Sequence, residues 1–205
     1  MVKITAEQIK RLAPNVRSVY AEAFRQADDV LAHYGVNDNR LRLCHFMAQV
    51  LHETGGLTVL VESMNYSAPR IVKVWPKRFH SEEEAAPYAH NPQKLANKVY
   101  GGRMGNTRPG DGWRFIGRGL LQITGRESYE KYGSALRIDL AGNPDTAFDP
   151  AWALKIAAEE WVASDCNRLA DADDVRRVTI AINNGTTGLA ERTEWLAKTK
   201  HVWPR

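Results

Sequence analysis

The sequence predicts an all-α fold, mostly helix with little strand pattern, arranged as two lobes flanking a groove. Three observations carry this. Apolar residues recur at helical spacing in segment after segment, and residues that start and stop helices bracket those segments. Two long irregular stretches, 55–80 and 101–120, are too large for plain connectors and are expected to line a site.

Thr5-Ala6-Glu7-Gln8 reads as a capping box that opens a first helix through about Leu12. A second is expected from about Val16 to His33, ending at Gly35. The third runs from about Asn39 to Thr54. Counting 100° per residue, Leu43, Phe46, Met47, Val50, Leu51 and Thr54 form one apolar arc. Cys44 sits on that side as a small buried hydrophobe, and His45 and His52 project from the far side. Gly55-Gly56 end the helix. Ser81 caps a short helix that Pro87 closes, and Pro92 to Tyr100 forms another, ended by Gly101-Gly102. Pro109-Gly110-Asp111-Gly112 is turn chemistry. Asp149-Pro150 starts a helix leading through Trp152, Leu154, Ile156 and Trp161. Val175 to Ile182 and Gly188 to Lys200 are the final two of seven or eight helices.

At 205 residues, 43% hydrophobic and 25% charged, the chain can bury a sizeable core, and residues 1–205 read as a single domain. No internal repeat or Pro/Ser-rich linker points to a separate binding module. Met1 to Leu12 lacks the apolar stretch of a signal peptide, and no later stretch reaches the roughly 18 apolar residues of a membrane span. A cytosolic protein without stable membrane insertion is therefore expected. Cys44 and Cys166 are the two cysteines, distant and without CxxC spacing, which favours neither a disulfide framework nor zinc. A net charge of +4 suits an anionic polymer such as a cell wall. Arg114, Arg118, Arg126, Arg176 and Arg177 form no dense run, which weighs against nucleic acid.

Three constellations carry chemistry. Glu53 stands in the last turn of its helix at the edge of the apolar arc. The negative helix end and the apolar neighbours both disfavour its charged form, as a general acid near neutral pH requires. The plain alternative is a solvated glutamate. Glu62 lies nine residues on, beyond Gly55-Gly56, so the two carboxylates can face each other across a cleft. Inverting glycoside hydrolysis needs such a pair, about 6.5–9.5 Å apart, with one acid for the leaving oxygen and one base for water. In Gly117-Arg118-Gly119-Leu120-Leu121-Gln122-Ile123-Thr124-Gly125, Gln122 and Thr124 share a face if the segment is extended. An amide and a hydroxyl there suit sugar hydroxyls or a positioned water, and Thr124 as a helix N-cap is the alternative. Asn183-Asn184-Gly185 is ordinarily a helix C-cap, yet the Asn183 amide can equally bind a sugar. Tyr66, Trp75 and Trp113 can stack on sugar faces, or pack in a core.

Taken in order, these residues resemble glycoside hydrolase family 19, the chitinase-like enzymes, and most closely their phage endolysin branch. Ala48-Gln49-Val50-Leu51-His52-Glu53-Thr54-Gly55-Gly56 looks like that family's catalytic helix end. Glu62 with Asn65-Tyr66-Ser67-Ala68, Trp75-Pro76 with Arg78-Phe79, and Ala96-Asn97-Lys98-Val99-Tyr100 follow. Gly112-Trp113-Arg114-Phe115-Ile116-Gly117-Arg118-Gly119, Gln122-Ile123-Thr124-Gly125, Asn183 and Arg192 complete a match over about residues 4–197. The resemblance implies a lysozyme-like catalytic domain with Glu53 as general acid, Glu62 as general base and Thr124 positioning the attacking water. It implies Gln122, Asn183, Tyr66, Arg118 and Trp113 as substrate-binding residues, and neither metal nor cofactor. Ser128 and Asn184 depart from the family pattern, where asparagine and glycine are expected.

The activity so implied is that of a phage endolysin cutting β-1,4 bonds of peptidoglycan glycan strands and lysing the host. The protein is expected to be monomeric and held in the host cytoplasm until a separate membrane-permeabilising protein releases it. A chitinase is the alternative, and muramidase, glucosaminidase and chitinase specificities stay open. A metallopeptidase is disfavoured because His52-Glu53 lacks the second histidine of HExxH, Gly56 standing in its place. A glycan-binding module without catalysis fits poorly with retention of both Glu53 and Glu62.

Overall fold

The structure, a computed structural model, describes residues 1–204. Its elements form where short-range chemistry asks for them. Thr5 and Gln8 close the capping box of α1 (Ala6–Leu12). A 3-10 turn at Phe24–Gln26 divides the expected Val16–His33 helix into α2 (Ser18–Ala23) and α3 (Ala27–His33). The buried stripe Tyr20, Ala23, Phe24, Ala27, Leu31 keeps helical spacing straight across that turn, so periodicity alone showed no break.

Asn39 caps α4 (Arg40–Glu53) by accepting from the Arg42 N–H at 3.0 Å. Every residue from Leu43 to Leu51 is buried, so α4 is a central helix rather than a one-faced one. His45 is accordingly not on an open far side. It is fully buried, with Nε2 2.7 Å from Asp173.

The irregular stretches contain short helices without a side-chain cap: α5 (Ala68–Val74) within 55–80, and α8 (Asp111–Arg114) within 101–120. Between them lie α6 (Glu82–Ala85) and α7 (Pro92–Tyr100), as expected. No continuous apolar stripe marks α9 (Arg126–Leu136), whose buried residues are Tyr129, Tyr132 and Gly133. Asp149-Pro150 does not start α10 (Ala153–Ala163); the Asp149 carboxylate accepts from the Ala151 N–H in a preceding turn. Next come α11 (Cys166–Asp171), α12 (Val175–Asn183) and α13 (Leu189–Val202).

Three apolar clusters organise these helices. The largest joins α1 to α4 with α10 to α13 and includes an edge-to-face pair, Phe46 on Trp161, with ring centroids 5.4 Å apart. Smaller clusters gather Ile71, Phe79, Leu95 and Val99 around α5 and α7, and Phe115, Tyr129 and Leu140 around α9. Among the described residues there is no strand, but Arg118 makes isolated bridges to Val61 and to Ile123. Those bridges fix the chain around Glu62 against the turn at Gly117. Among the described residues no helix is long and apolar enough to cross a membrane.

Candidate active site

A cleft of about 610 Å³ is lined by the end of α4, by α10, by the end of α12 and by the 117–128 segment. It is of the size that holds a few sugar units. Among the described residues four carboxylates line it, those of Glu53, Glu62, Glu127 and Glu160, and no lysine or arginine does.

Glu62 is held from both sides. Its N–H donates to the Gly117 carbonyl at 2.9 Å, and the Gly117 N–H donates back to Oε1 at 2.6 Å. The Tyr100 hydroxyl donates to Oε2 at 2.9 Å. Burial raises the Glu62 carboxyl above the ordinary range, with the Gly117 and Tyr100 hydrogen bonds and the Arg118 charge opposing. A carboxylate of raised proton affinity is a better base near neutral pH. Burial and the Glu62 charge push the Tyr100 phenol upward, so it stays a donor.

Gly117 marks where the polar groups converge. A Cβ there would lie 3.1 Å from Gln122 Oε1, 3.3 Å from Glu62 Oε1 and 3.3 Å from Thr124 Oγ1. Three oxygens from separate side chains thus converge on the Cα of Gly117. The segment is a turn and not extended, with Gln122 at φ 56°. Its amide donates to the Gly119 carbonyl at 2.8 Å, and this fold-back replaces the expected shared strand face. Thr124 donates to the Gln122 carbonyl at 2.9 Å. The N-cap of α9 is Gly125, without a side-chain cap, so Thr124 caps no helix.

Glu53 also lines the cleft, but its surroundings are not the apolar ones the helix pattern suggested. The buried Arg192 guanidinium donates to both Glu53 and Gln49, and so joins α13 to the end of α4. Arg192 belonged to the recognised sequence pattern without a role. A charged residue one turn into a helix that follows Gly188 was its one signal. His52 lies beneath Gly188, where a Cβ would come within 2.5 Å of its Nε2. Burial, then the Arg192 charge, lowers the His52 imidazole.

Asn183 lines the cleft, its amide 3.4 Å from the Thr187 carbonyl as donor. Asn184 is the left-handed C-cap of α12 at φ 52°, and it and Ser128 both line the cleft. Three expected substrate-binding residues do not line it. Arg118 is turned inward to Asp145 at 2.9 Å, the Arg114 carbonyl at 2.8 Å and the Tyr129 hydroxyl at 3.2 Å. Tyr66 packs edge-on against Trp75. Trp113 is exposed, its backbone N–H held by Asn97 at 2.9 Å. Glu160, which the sequence reading missed, lines the cleft beside these groups. Burial and the Glu53 charge push its carboxyl up to about 8. An acid inside Ile156-Ala157-Ala158-Glu159-Glu160-Trp161 was the available signal. Among the described residues no group of three or more His, Cys, Asp or Glu is placed to hold a metal ion.

No family model matches the chain. A Haemophilus influenzae protein described as glycosyl hydrolase family 19 domain-containing is 35% identical over 161 residues, 75% of this chain and 76% of that protein. Among solved structures, chitinase C from Streptomyces griseus superposes with TM-score 0.67 at 18% identity, covering 97% of this chain and 91% of that one. Another bacterial family 19 chitinase superposes with TM-score 0.66 at 20% identity, over 97% of this chain and 94% of that one. These superpositions show the same all-α fold.

Proposed function

The chain belongs to glycosyl hydrolase family 19, and we propose that within it this protein is an endolysin that hydrolyses β-1,4 bonds of peptidoglycan glycan strands by inversion. The observation that carries the chemistry is the convergence of Glu62 Oε1, Gln122 Oε1 and Thr124 Oγ1 about Gly117, in the same cleft as Glu53. A water held there is polarised by Glu62, which takes its proton as the oxygen attacks the anomeric carbon. Glu53 gives a proton to the leaving oxygen as the glycosidic bond breaks. Thr124 and Gln122 hold the water in line, so their contribution falls in the transition state.

Support for the wall polymer comes from charge and from the motif order. The net charge is +4 although four carboxylates line the cleft, so the exterior is the more basic surface and suits an anionic wall. A cleft with no cation among its described lining residues suits a neutral N-acetylated strand. In this reading the protein stays in the host cytoplasm until a separate protein permeabilises the membrane, and host lysis follows. The chitinase reading is favoured by the fold shared with the chitinases named above. Mass spectrometry of products from purified sacculi and from chitin oligosaccharides decides. New reducing ends on sacculi fragments support the endolysin, and the terminal sugar distinguishes muramidase from glucosaminidase. Cleavage of chitin oligosaccharides alone favours the chitinase, and intact glycan in both removes the glycosidase reading.

A further inference from the structure

Glu160 stands on α10 in a run whose neighbours Ile156, Ala157, Ala158 and Trp161 are buried. An acid in such a run is costly unless it is partnered. Its side chain lines the same cleft as Glu53 and Glu62, and its Oε2 is fully buried with no hydrogen-bond partner among the described residues. An oxygen with no donor is a poor seat for negative charge, whereas a neutral carboxyl needs far less solvation. The charges that act on Glu160 come from neighbouring helices. Glu53 of α4, backed by Arg192 of α13, favours the protonated form, while Lys131 of α9 opposes it. Tyr132 of α9 and Cys166 of α11 are themselves pushed up by burial and by Glu160, the thiol to about 12, so both stay neutral.

Glu53, held by Arg192, gives up a proton in each turnover, and another must reach it before the next bond is cut. We propose that Glu160 holds that proton, so that Glu53 and Glu160 act as a carboxyl pair sharing one proton, which rests on the buried partner and passes to Glu53 when a glycan fills the cleft. This rests on the acid role given to Glu53 above. The proton count closes within a turnover. Glu53 protonates the leaving oxygen, Glu62 takes a proton from the attacking water, and that proton returns to the pair through water in the cleft. No further reactant is consumed. Glu160 works through Glu53 and is a positioning residue for the proton, comparable to other carboxyl dyads whose titration belongs to the pair.

Two measurements on the whole chain test this. With ¹³C-labelled glutamate carboxyls, the Glu160 signal is expected to titrate far above the ordinary carboxylate range and to move down by about one unit or more in Glu53→Gln. A Glu160 midpoint in the ordinary range, or one indifferent to Glu53→Gln, overturns the shared proton whether or not the protein cleaves any glycan. In kinetics, Glu160→Gln is expected to lower kcat about tenfold or more with KM unchanged and to displace the alkaline limb of the pH profile, and Glu160→Asp to recover part of both. A folded Glu160→Gln protein with wild-type kcat and pH profile overturns the proposal. Failure of the wild type on both sacculi and chitin oligosaccharides would strike the functional reading, and the titration would still decide the pair.

Discussion

Gly117 lies outside the left-handed region, so glycine is there for space and not for backbone freedom. A Cβ there would press on the three oxygens of Gln122, Glu62 and Thr124. Gly117→Ala is therefore expected to displace the attacking water, lowering kcat by about ten- to hundredfold while the melting temperature barely changes. A normal turnover in that variant would move the water site elsewhere. Thr124→Ala removes one of the three oxygens and no cap, because α9 begins on Gly125 without a side-chain bond. Its kcat should fall by a similar factor, about 1–3 kcal/mol in the barrier, with KM and melting temperature near wild type. A lowered melting point with normal turnover would assign Thr124 to structure. Glu53→Gln and Glu62→Gln, both shape-preserving, should each cost at least about a hundredfold in rate. At this scale the sequence could show which residue types matter, since Glu53, Glu62, Gln122, Thr124 and Asn183 all reach the cleft. It could not show that Arg118 turns inward to Asp145 or that Glu160 turns into the cleft, because both depend on packing between distant segments.

At the scale of elements, α4 and α13 are joined by groups that apolar periodicity does not report. Arg192 binds Gln49 and Glu53, and the Thr199 hydroxyl donates to the Cys44 carbonyl at 3.0 Å. Arg192→Met would leave a carboxylate and a buried amide without their donor. Removing one member of a buried pair typically costs about 3–5 kcal/mol. Glu53 keeps 18% side-chain exposure, so a loss near the lower end is expected in chemical denaturation, together with reduced activity. Unchanged stability would mean that solvent replaces the guanidinium. Asn39→Ala provides the contrast, since it removes the N-cap of α4 and an exposed amide hydrogen bond to Asp171, and neither residue lines the cleft. It should cost about 1 kcal/mol and leave turnover untouched. Helices α1, α4 and α7 were legible because a side-chain cap opens each, and α13 because it is long. The break at Phe24–Gln26 was not, since the buried stripe crosses it unbroken, and α5, α8 and α11 are short and lack a side-chain cap.

For the whole molecule, titratable groups pull stability in opposite directions with pH. Asp111 is held low by hydrogen bonding to Arg126, and Asp171 by Arg42, so both contributions vanish as acid protonates the carboxylates. Burial lowers the His45 imidazole below its ordinary 6.5, against the pull of Asp173. The folded state then binds that proton less readily than the unfolded chain, and stability is lost as pH falls below about 6.5. Glu160 acts the other way. Its folded-state value lies above the ordinary 4.5, at about 8, so the folded state holds a proton the unfolded chain has released. That contribution is complete below 4.5 and is lost as pH rises through about 8. Glu62, raised by burial, adds in the same sense. Wild-type melting temperature should therefore peak in mildly acidic solution and fall on the way to pH 9. Glu160→Gln, neutral at every pH, should lose much of that alkaline fall, becoming more stable than wild type above pH 8 and not at pH 5. Differential scanning calorimetry of both proteins across pH 5–9 checks this. Curves that run parallel would mean that Glu160 gives up its proton at the same pH folded and unfolded, and the alkaline loss would then have to come from elsewhere.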